Sequence, residues 1–330
     1  MKQIPALFLR HVFRLFIYGT PSVILLLLIG LVLYLEGRPD LQIWHTTELD
    51  EEFTIESDVQ TFNDYQVLED RLFVQLDQLI YQQSNTSKTG LIERYKKTSL
   101  VDPTSWKTNW NRSFELPRDQ PKAAILLLHG MSDSPYSLRA IGQQLHQEGA
   151  WILGLRLPGH GTAPSALVTV EWQDMAAAVK LAMTHLKEQV GEQPIYIVGY
   201  SNGGALAVHY ALSTLQNSEL PMVNGLVLIS PSIGVTKVAA LAVWQARLGY
   251  LLGLDKVAWN SIQPEYDPYK YNSFAVNAGD QVYRLTANIQ SQFKRFQSST
   301  LLNEFPPVLA FQSAIDTTVS PSAIVSRLFE

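Results

Sequence analysis

The chain is predicted to fold as a mostly parallel, doubly wound α/β sheet with a helical cap insertion, preceded by a transmembrane helix. Three observations predict this. An uncharged apolar run lies near the N-terminus; short continuous apolar runs alternate with amphipathic stretches from residue 123 onward; and the alternation breaks between Ser230 and Phe305. Strands covered on both faces read as continuous apolar runs, and strands alternating with helices imply a parallel sheet with helices on both sides.

The first run extends from Leu15 to Leu35 without a formal charge. At 1.5 Å per residue, that length crosses a hydrocarbon core of ~30 Å. Lys2, Arg10 and Arg14 precede it; Glu36, Arg38 and Asp40 follow. Residues 1–14 are therefore expected in the cytoplasm, 15–35 in the membrane, and the rest outside the cytoplasm (periplasmic in a bacterium). Pro21 falls within the run, which membrane helices tolerate. A cleaved secretory signal is the competing reading, although Leu33-Tyr34-Leu35-Glu36 offers no small-x-small cleavage site.

Residues 36–120 read as a linker and accessory helical segment. After the acidic stretch Glu48 to Asp58, Phe62, Tyr65, Leu68, Leu72, Leu76 and Leu79 recur at spacings of three and four. That makes one apolar stripe, so this helix is expected to pack on the main domain. Trp106, Trp110 and Phe114 either dock the segment or begin the sheet. Asn85-Thr86-Ser87 and Asn111-Arg112-Ser113 match the glycosylation pattern, a match common by chance. No chemistry is legible here.

Residues 121–330 carry the sheet. Ala124 to Leu128, Trp151 to Leu155, Ile195 to Val198, Leu226 to Ile229 and Val308 to Phe311 are the expected strands. Helices are expected between them: one with Leu138, Ile141 and Leu145 inward and Gly149 as its C-terminal cap, one over Trp172 to Val190, and one over Asn202 to Leu215. The irregular span of roughly 75 residues is too long for a structureless loop in a compact domain. It reads as a cap over residues 232–304, with Trp244, Tyr250, Leu251, Leu252, Trp259, Tyr266, Tyr269, Tyr271 and Phe274 mostly in its core.

Composition narrows the function. With 46% hydrophobic and 17% charged residues, the chain can bury a substantial core. A net charge of -5 without a basic cluster argues against nucleic acid, whose binding rests on Lys and Arg neutralising phosphates. The absence of cysteine excludes disulfides, thiolate metal sites and cysteine nucleophiles. No metal or organic cofactor is expected.

Gly199-Tyr200-Ser201-Asn202-Gly203 follows one expected strand and opens one expected helix. Those are the contexts a G-x-S-x-G nucleophile elbow needs: a serine on a strained turn, flanked by glycines that let strand and helix approach. The N-terminus of the helix also offers free N–H donors to a developing oxyanion. The backbone N–H of Asn202 and that of Met131, in the loop after the first strand, are the expected oxyanion donors. His129 is read as a hydrogen-bonded loop anchor.

Taken together, Leu127-Leu128-His129-Gly130 followed by Ser134-Pro135, then Leu157-Pro158-Gly159-His160-Gly161, then the Ser201 elbow resemble the monoacylglycerol lipase, lysophospholipase and carboxylesterase branch of the α/β-hydrolases. The resemblance covers about residues 120 to 330. It implies a catalytic acid after the last strand, where Asp316 stands in Ser313-Ala314-Ile315-Asp316-Thr317-Thr318-Val319. The histidine that this fold places after the acid is absent from the chain. The seven histidines stand at 11, 45, 129, 146, 160, 185 and 209. His209 lies eight residues along the helix from Ser201, ~12 Å by its rise, and His160 has a structural place in its loop.

Ile324 and Leu328 form an apolar stripe on a helix that reaches Glu330 uncapped. The expectation is a serine esterase or lipase truncated at its C-terminus, acting on a small-molecule acyl ester or lipid. The alternative is a membrane-tethered binding or scaffold protein that kept the fold and lost catalysis.

Overall fold

The computed structural model describes residues 6–84, 92–234, 255–297 and 299–313. The chain forms two compact units, Met1–Asp40 and Leu41–Glu330. The first is one helix, α1 (Ala6–Glu36), with Pro21 inside it. Its segment Ile17–Glu36 is long and apolar enough to cross a membrane.

Among the described residues, the second unit is built on a sheet of six strands. Its strands are β1 (Phe114–Leu116), β2 (Ala123–Leu128), β3 (Ala150–Leu155), β4 (Ile195–Tyr200), β5 (Gly225–Ile229) and β8 (Val308–Phe311). A separate hairpin pairs β6 (Trp259–Ser261) with β7 (Phe274–Ala275). The order across the sheet is β1-β3-β2-β4-β5-β8, with β1 antiparallel and the other pairs parallel. The five expected strands are all present. Phe114 begins β1, so it starts the sheet, and Trp110 packs edge-on against its ring.

Alternate residues along each strand face opposite sides. Ala124, Leu126 and Leu128 join Ile197, Leu226 and Leu228 under the helices α4 (Trp172–Val190), α5 (Asn202–Thr214) and α6 (Val276–Phe296). Ile125, Leu127, Ile152 and Val198 form the opposite core with α3 (Arg139–Gln147). Gly149 caps α3 at φ +109°, as expected. The inward position of α3 belongs to Gly142, where an added Cβ would lie 2.7 Å from Leu127 Cδ1; Ile141 is exposed instead.

Two other expectations change. Helix α2 (Phe62–Leu76) buries Phe62, Tyr65, Leu68, Leu72 and Leu76, but a π-turn over Asp77–Tyr81 adds a residue to the next turn. The inward stripe therefore passes to Ile80 and Tyr81 and leaves Leu79 exposed. Within the span read as a cap, α6 packs on α4 and α5, and serves as the crossover between the parallel neighbours β5 and β8. Trp244, Tyr250, Leu251, Leu252, Asn85 and the stretch around Ile324 expected to be helical lie outside the described residues. Asn111 is buried and donates to Pro268 O, so its glycosylation match is structural.

The accessory segment is joined to the sheet by a buried charge. Arg156, at the end of β3, has no exposed side-chain surface. Its Nε donates to Glu69 Oε2 at 3.2 Å, Nη2 to Glu52 Oε1 at 3.0 Å, and Nη1 to His160 O at 3.1 Å. Ser113 bonds to both Glu69 oxygens, and Tyr65 Oη donates to Arg156 O at 2.7 Å. Removing one member of such a group leaves charge buried and uncompensated. Arg156→Met is expected to cost about 3–5 kcal/mol, read as a lower midpoint in urea by tryptophan fluorescence. A midpoint equal to that of the wild type would show that the two carboxylates reach water.

Candidate active site

The sheet order reverses between β2 and β4, because the chain runs from β2 to β3 on one side and then to β4 on the other. In open α/β sheets the crevice for ligands forms at the carboxyl ends of strands at such a point. Ser201 follows β4 there, and the loop from His129 to Ser134 follows β2.

Ser201 has φ 52° and ψ -114°, a left-handed conformation that costs a non-glycine residue energy. Backbone bonds hold it there. Its N–H donates to Ile229 O at 2.9 Å, and its carbonyl accepts from Gly204 N and from Ser232 N, both at 3.0 Å. The flanking glycines are required by close approach. A Cβ on Gly203 would meet Leu128 O at 2.1 Å, and one on Gly199 would meet Gly203 O at 2.5 Å. Ser201 Oγ lies 3.2 Å from Ser232 Oγ.

The loop after β2 lies against this turn. A Cβ on Gly130 would sit 3.3 Å from Ser201 Cβ. Ser132 has φ 65°, and its carbonyl accepts from Tyr271 N at 2.8 Å. Among the described residues, neither the Met131 nor the Asn202 backbone N–H has a hydrogen-bond acceptor. The Asn202 amide faces inward, with Nδ2 3.6 Å from Met175 Sδ. Asp133, on the same loop, is half-buried, and its desolvation pushes the carboxyl up to about 6.

The histidines are engaged elsewhere. His129 Nε2 accepts from Leu157 N at 3.0 Å, so Nδ1 carries the proton and donates to Gly130 O at 2.9 Å. The ring is a neutral tie between the loop after β2 and the loop after β3, and burial holds its pKa well below the ordinary value. His160 Nδ1 bonds to Pro158 O at 2.8 Å, while its buried Nε2 has no partner among the described residues. His45 bonds to Ser273 Oγ, His185 to Glu115, and His146 to Ala150 O. His209 packs edge-on against Trp172. None of these six rings hydrogen-bonds Ser201. Asp316 lies outside the described residues.

Sequence reasoning missed three groups around the site. Ser232 follows β5, and the only signal was a Ser-Pro-Ser cluster at a strand's carboxyl end. Arg156 appears in sequence as one charge interrupting an apolar run. Tyr271, from the span read as a cap, presents its hydroxyl to Thr162 N at 2.8 Å and stacks beside His160. A cavity of about 250 Å³ is lined in part by Glu48, Asp50, Asp174 and Glu52, the partner of Arg156, and Ser201 is not among its lining residues.

Burial lowers His45, His160 and His209 to about 4. Between that value and the unfolded value near 6.5, the unfolded chain binds protons that the folded chain does not, so these rings contribute stability above pH 6.5 that is lost as pH falls toward 4. His209→Gln is therefore expected to lose less stability than the wild type between pH 6.5 and 4 in denaturant titrations; parallel pH curves would refute this.

Comparison with known proteins agrees with this geometry. Residues 119–330, well over half of the chain, match the family model described as serine aminopeptidase, S33 (Hydrolase_4). A thermostable monoacylglycerol lipase of Bacillus sp. (strain H-257) is 25% identical over 197 residues, covering 60% of this chain and 72% of that protein. The phospholipase YtpA of Bacillus subtilis (strain 168) is 25% identical over 118 residues, covering 36% and 43%. A soluble variant of the monoglyceride lipase from Saccharomyces cerevisiae shares the fold at a TM-score of 0.50 and 12% identity, covering 66% of this chain and 77% of that one. With the order of motifs, the strained serine turn and the family match in agreement, the chain belongs to the serine aminopeptidase, S33 family of α/β-hydrolases.

Proposed function

We propose that this protein is a serine hydrolase of carboxylic esters derived from lipids, such as a monoacylglycerol or lysophospholipid, with Ser201 as its nucleophile. The observation that carries the reading is the strained turn at Ser201, held at φ 52° against the loop after β2, where the Met131 and Asn202 N–H groups have no acceptor among the described residues. Strain of this kind persists only where the surroundings over-determine it, and it clusters at reacting groups.

The reaction follows from the placement. Ser201 Oγ attacks the ester carbonyl while its proton passes to a general base. The carbonyl oxygen gains negative charge and is received by the Met131 and Asn202 N–H groups. Collapse expels the alcohol, which takes the proton from the base. Water then attacks the acyl-enzyme by the same route and releases the acid. In the order of this fold the base is a histidine that follows the acid, with Asp316 as the acid that orients it; that histidine is not among the seven of this sequence. His129 is ruled out as the base by geometry, because both of its ring nitrogens are already committed.

The lipid class rests on the lipase and phospholipase relatives and on the apolar helix. We read α1 as a tether that keeps residues 1–14 in the cytoplasm, since Lys2, Arg10 and Arg14 stand on that side of the run. A tethered enzyme meets substrates that partition into the bilayer. The protein is expected to stay with membranes through an alkaline wash and to leave them when residues 1–36 are removed. A mature protein whose first residue lies beyond the apolar run would identify a cleaved signal instead.

The catalytic reading is tested on the native full-length protein with a fluorophosphonate probe and a 4-nitrophenyl acyl ester. The wild type is expected to take the label on Ser201, and Ser201→Ala to lose both label and at least about a thousandfold of its hydrolysis, as removal of a nucleophile does. Hydrolysis indifferent to Ser201→Ala would remove the mechanism. A folded wild type that takes no label would favour the non-catalytic scaffold.

A further inference from the structure

We propose that Ser232 is a positioning residue for Ser201, donating its hydroxyl proton to Ser201 Oγ and holding that oxygen ready for attack. The inference rests on Ser201 being the nucleophile, and concerns a residue outside the serine, acid and base of the mechanism.

Ser232 is 5% exposed, and its backbone is fixed at both ends. Its N–H donates to Ser201 O at 3.0 Å, and its carbonyl lies 3.0 Å from Thr286 Oγ1 on α6. The preceding Pro231 is wedged against α5, where an added Cβ on Gly204 would meet Pro231 Cβ at 2.7 Å. With the main chain held on two sides, the Ser232 side chain has little freedom. Its Oγ lies 3.2 Å from Ser201 Oγ, and among the described residues it has no other hydrogen-bond partner. Buried hydroxyls are nearly always bonded, and among the described residues this contact is the one available to the group.

The direction of the bond follows from the chemistry. Ser201 has one hydroxyl proton, and that proton must face the general base to be removed. A second contact to the same oxygen can then use only a lone pair of Ser201, so Ser232 supplies the proton. The bond occupies one lone pair of Ser201 Oγ and fixes its rotamer, so that the other lone pair faces the ester carbonyl while the proton faces the base. A nucleophile held in attack geometry lowers the barrier by orientation, with no charge needed on the oxygen. The Met131 and Asn202 N–H groups act on the carbonyl oxygen. Ser232 acts on the attacking oxygen, so the two contributions are separable.

The test compares wild type, Ser201→Ala, Ser232→Ala and Ser232→Thr in the native full-length protein. Measured quantities are the rate of fluorophosphonate labelling at Ser201, kcat and KM for a short 4-nitrophenyl ester, and the melting temperature. Ser232→Ala is expected to slow labelling and kcat by about tenfold, the loss of one positioning hydrogen bond, with KM and melting temperature unchanged. Ser232→Thr, which keeps the hydroxyl, is expected to restore the rate to within about twofold. A wild-type labelling rate in Ser232→Ala overturns the inference while leaving the Ser201 reading intact. So does a rise in KM alone, or a folded Ser232→Thr as slow as Ser232→Ala. A wild type that carries no label on Ser201 overturns the nucleophile and, with it, the role of Ser232.

Discussion

A guanidinium with no access to water must be neutralised where it stands, and Arg156 is such a group. Desolvating a cation costs several kcal/mol, and only well-placed anions with further hydrogen bonds offset that cost. Glu52 and Glu69 supply the charge, and both come from the segment before the sheet begins. The segment is therefore bound into the same unit as the sheet, as the compact span from Leu41 shows. Arg156 also donates to His160 O. The arrangement thus fixes the first residues of the loop after β3, and the effect passes from that loop toward Ser201.

The path runs through His129. Leu157, next to Arg156, donates its N–H to His129 Nε2, and the other ring nitrogen reaches Gly130 O. A neutral imidazole that must accept at one nitrogen and donate at the other has a single tautomer, so the two loops are held at a fixed separation. Burial keeps the ring neutral, because a second proton would find neither water nor an acceptor there. From the other side, Arg94 donates to Gly161 O, its N–H reaches Glu265 O, and its guanidinium lies over the Tyr271 ring. Tyr271 in turn holds Ser132 O. Both sides of the crevice are thus positioned by buried polar groups from distant parts of the chain.

This explains what the sequence disclosed. Strands β2 to β5, helices α4 and α5 and the elbow at Ser201 were legible because each is specified locally, by a run of apolar residues, a 3.6-residue period or paired glycines at a turn. The misplaced residues fail at the same level. Ile141 was expected inward, but Gly142 is there because Leu127 leaves no room for a side chain. Leu79 fell out of the stripe because a π-turn adds one residue, a change that periodicity does not encode. The roles of Arg156, Tyr271 and Ser232 were invisible for a different reason. Their partners lie between 31 and 139 residues away, at Glu52, Glu69, Ser132 and Ser201, and no local pattern reports such a pairing.

The strain in the backbone converges on one rim of the sheet. Among the described residues, five other than glycine have positive φ, and three of them are serines: Ser132, Ser201 and Ser230. They follow β2, β4 and β5, three neighbouring strands, at the carboxyl ends where the sheet order reverses. Each costs on the order of 1–3 kcal/mol to hold. Each is anchored by a backbone bond: Ser132 O to Tyr271 N, Ser201 N to Ile229 O, and Ser230 N to Phe311 O. A fold needing only to be stable would relax such turns or place glycine in them. Serine at all three keeps a small polar side chain on each loop and accepts the cost in strain. The strain is the cost of turning these loops sharply enough to bring the loop after β2, Ser201 and Ser232 together.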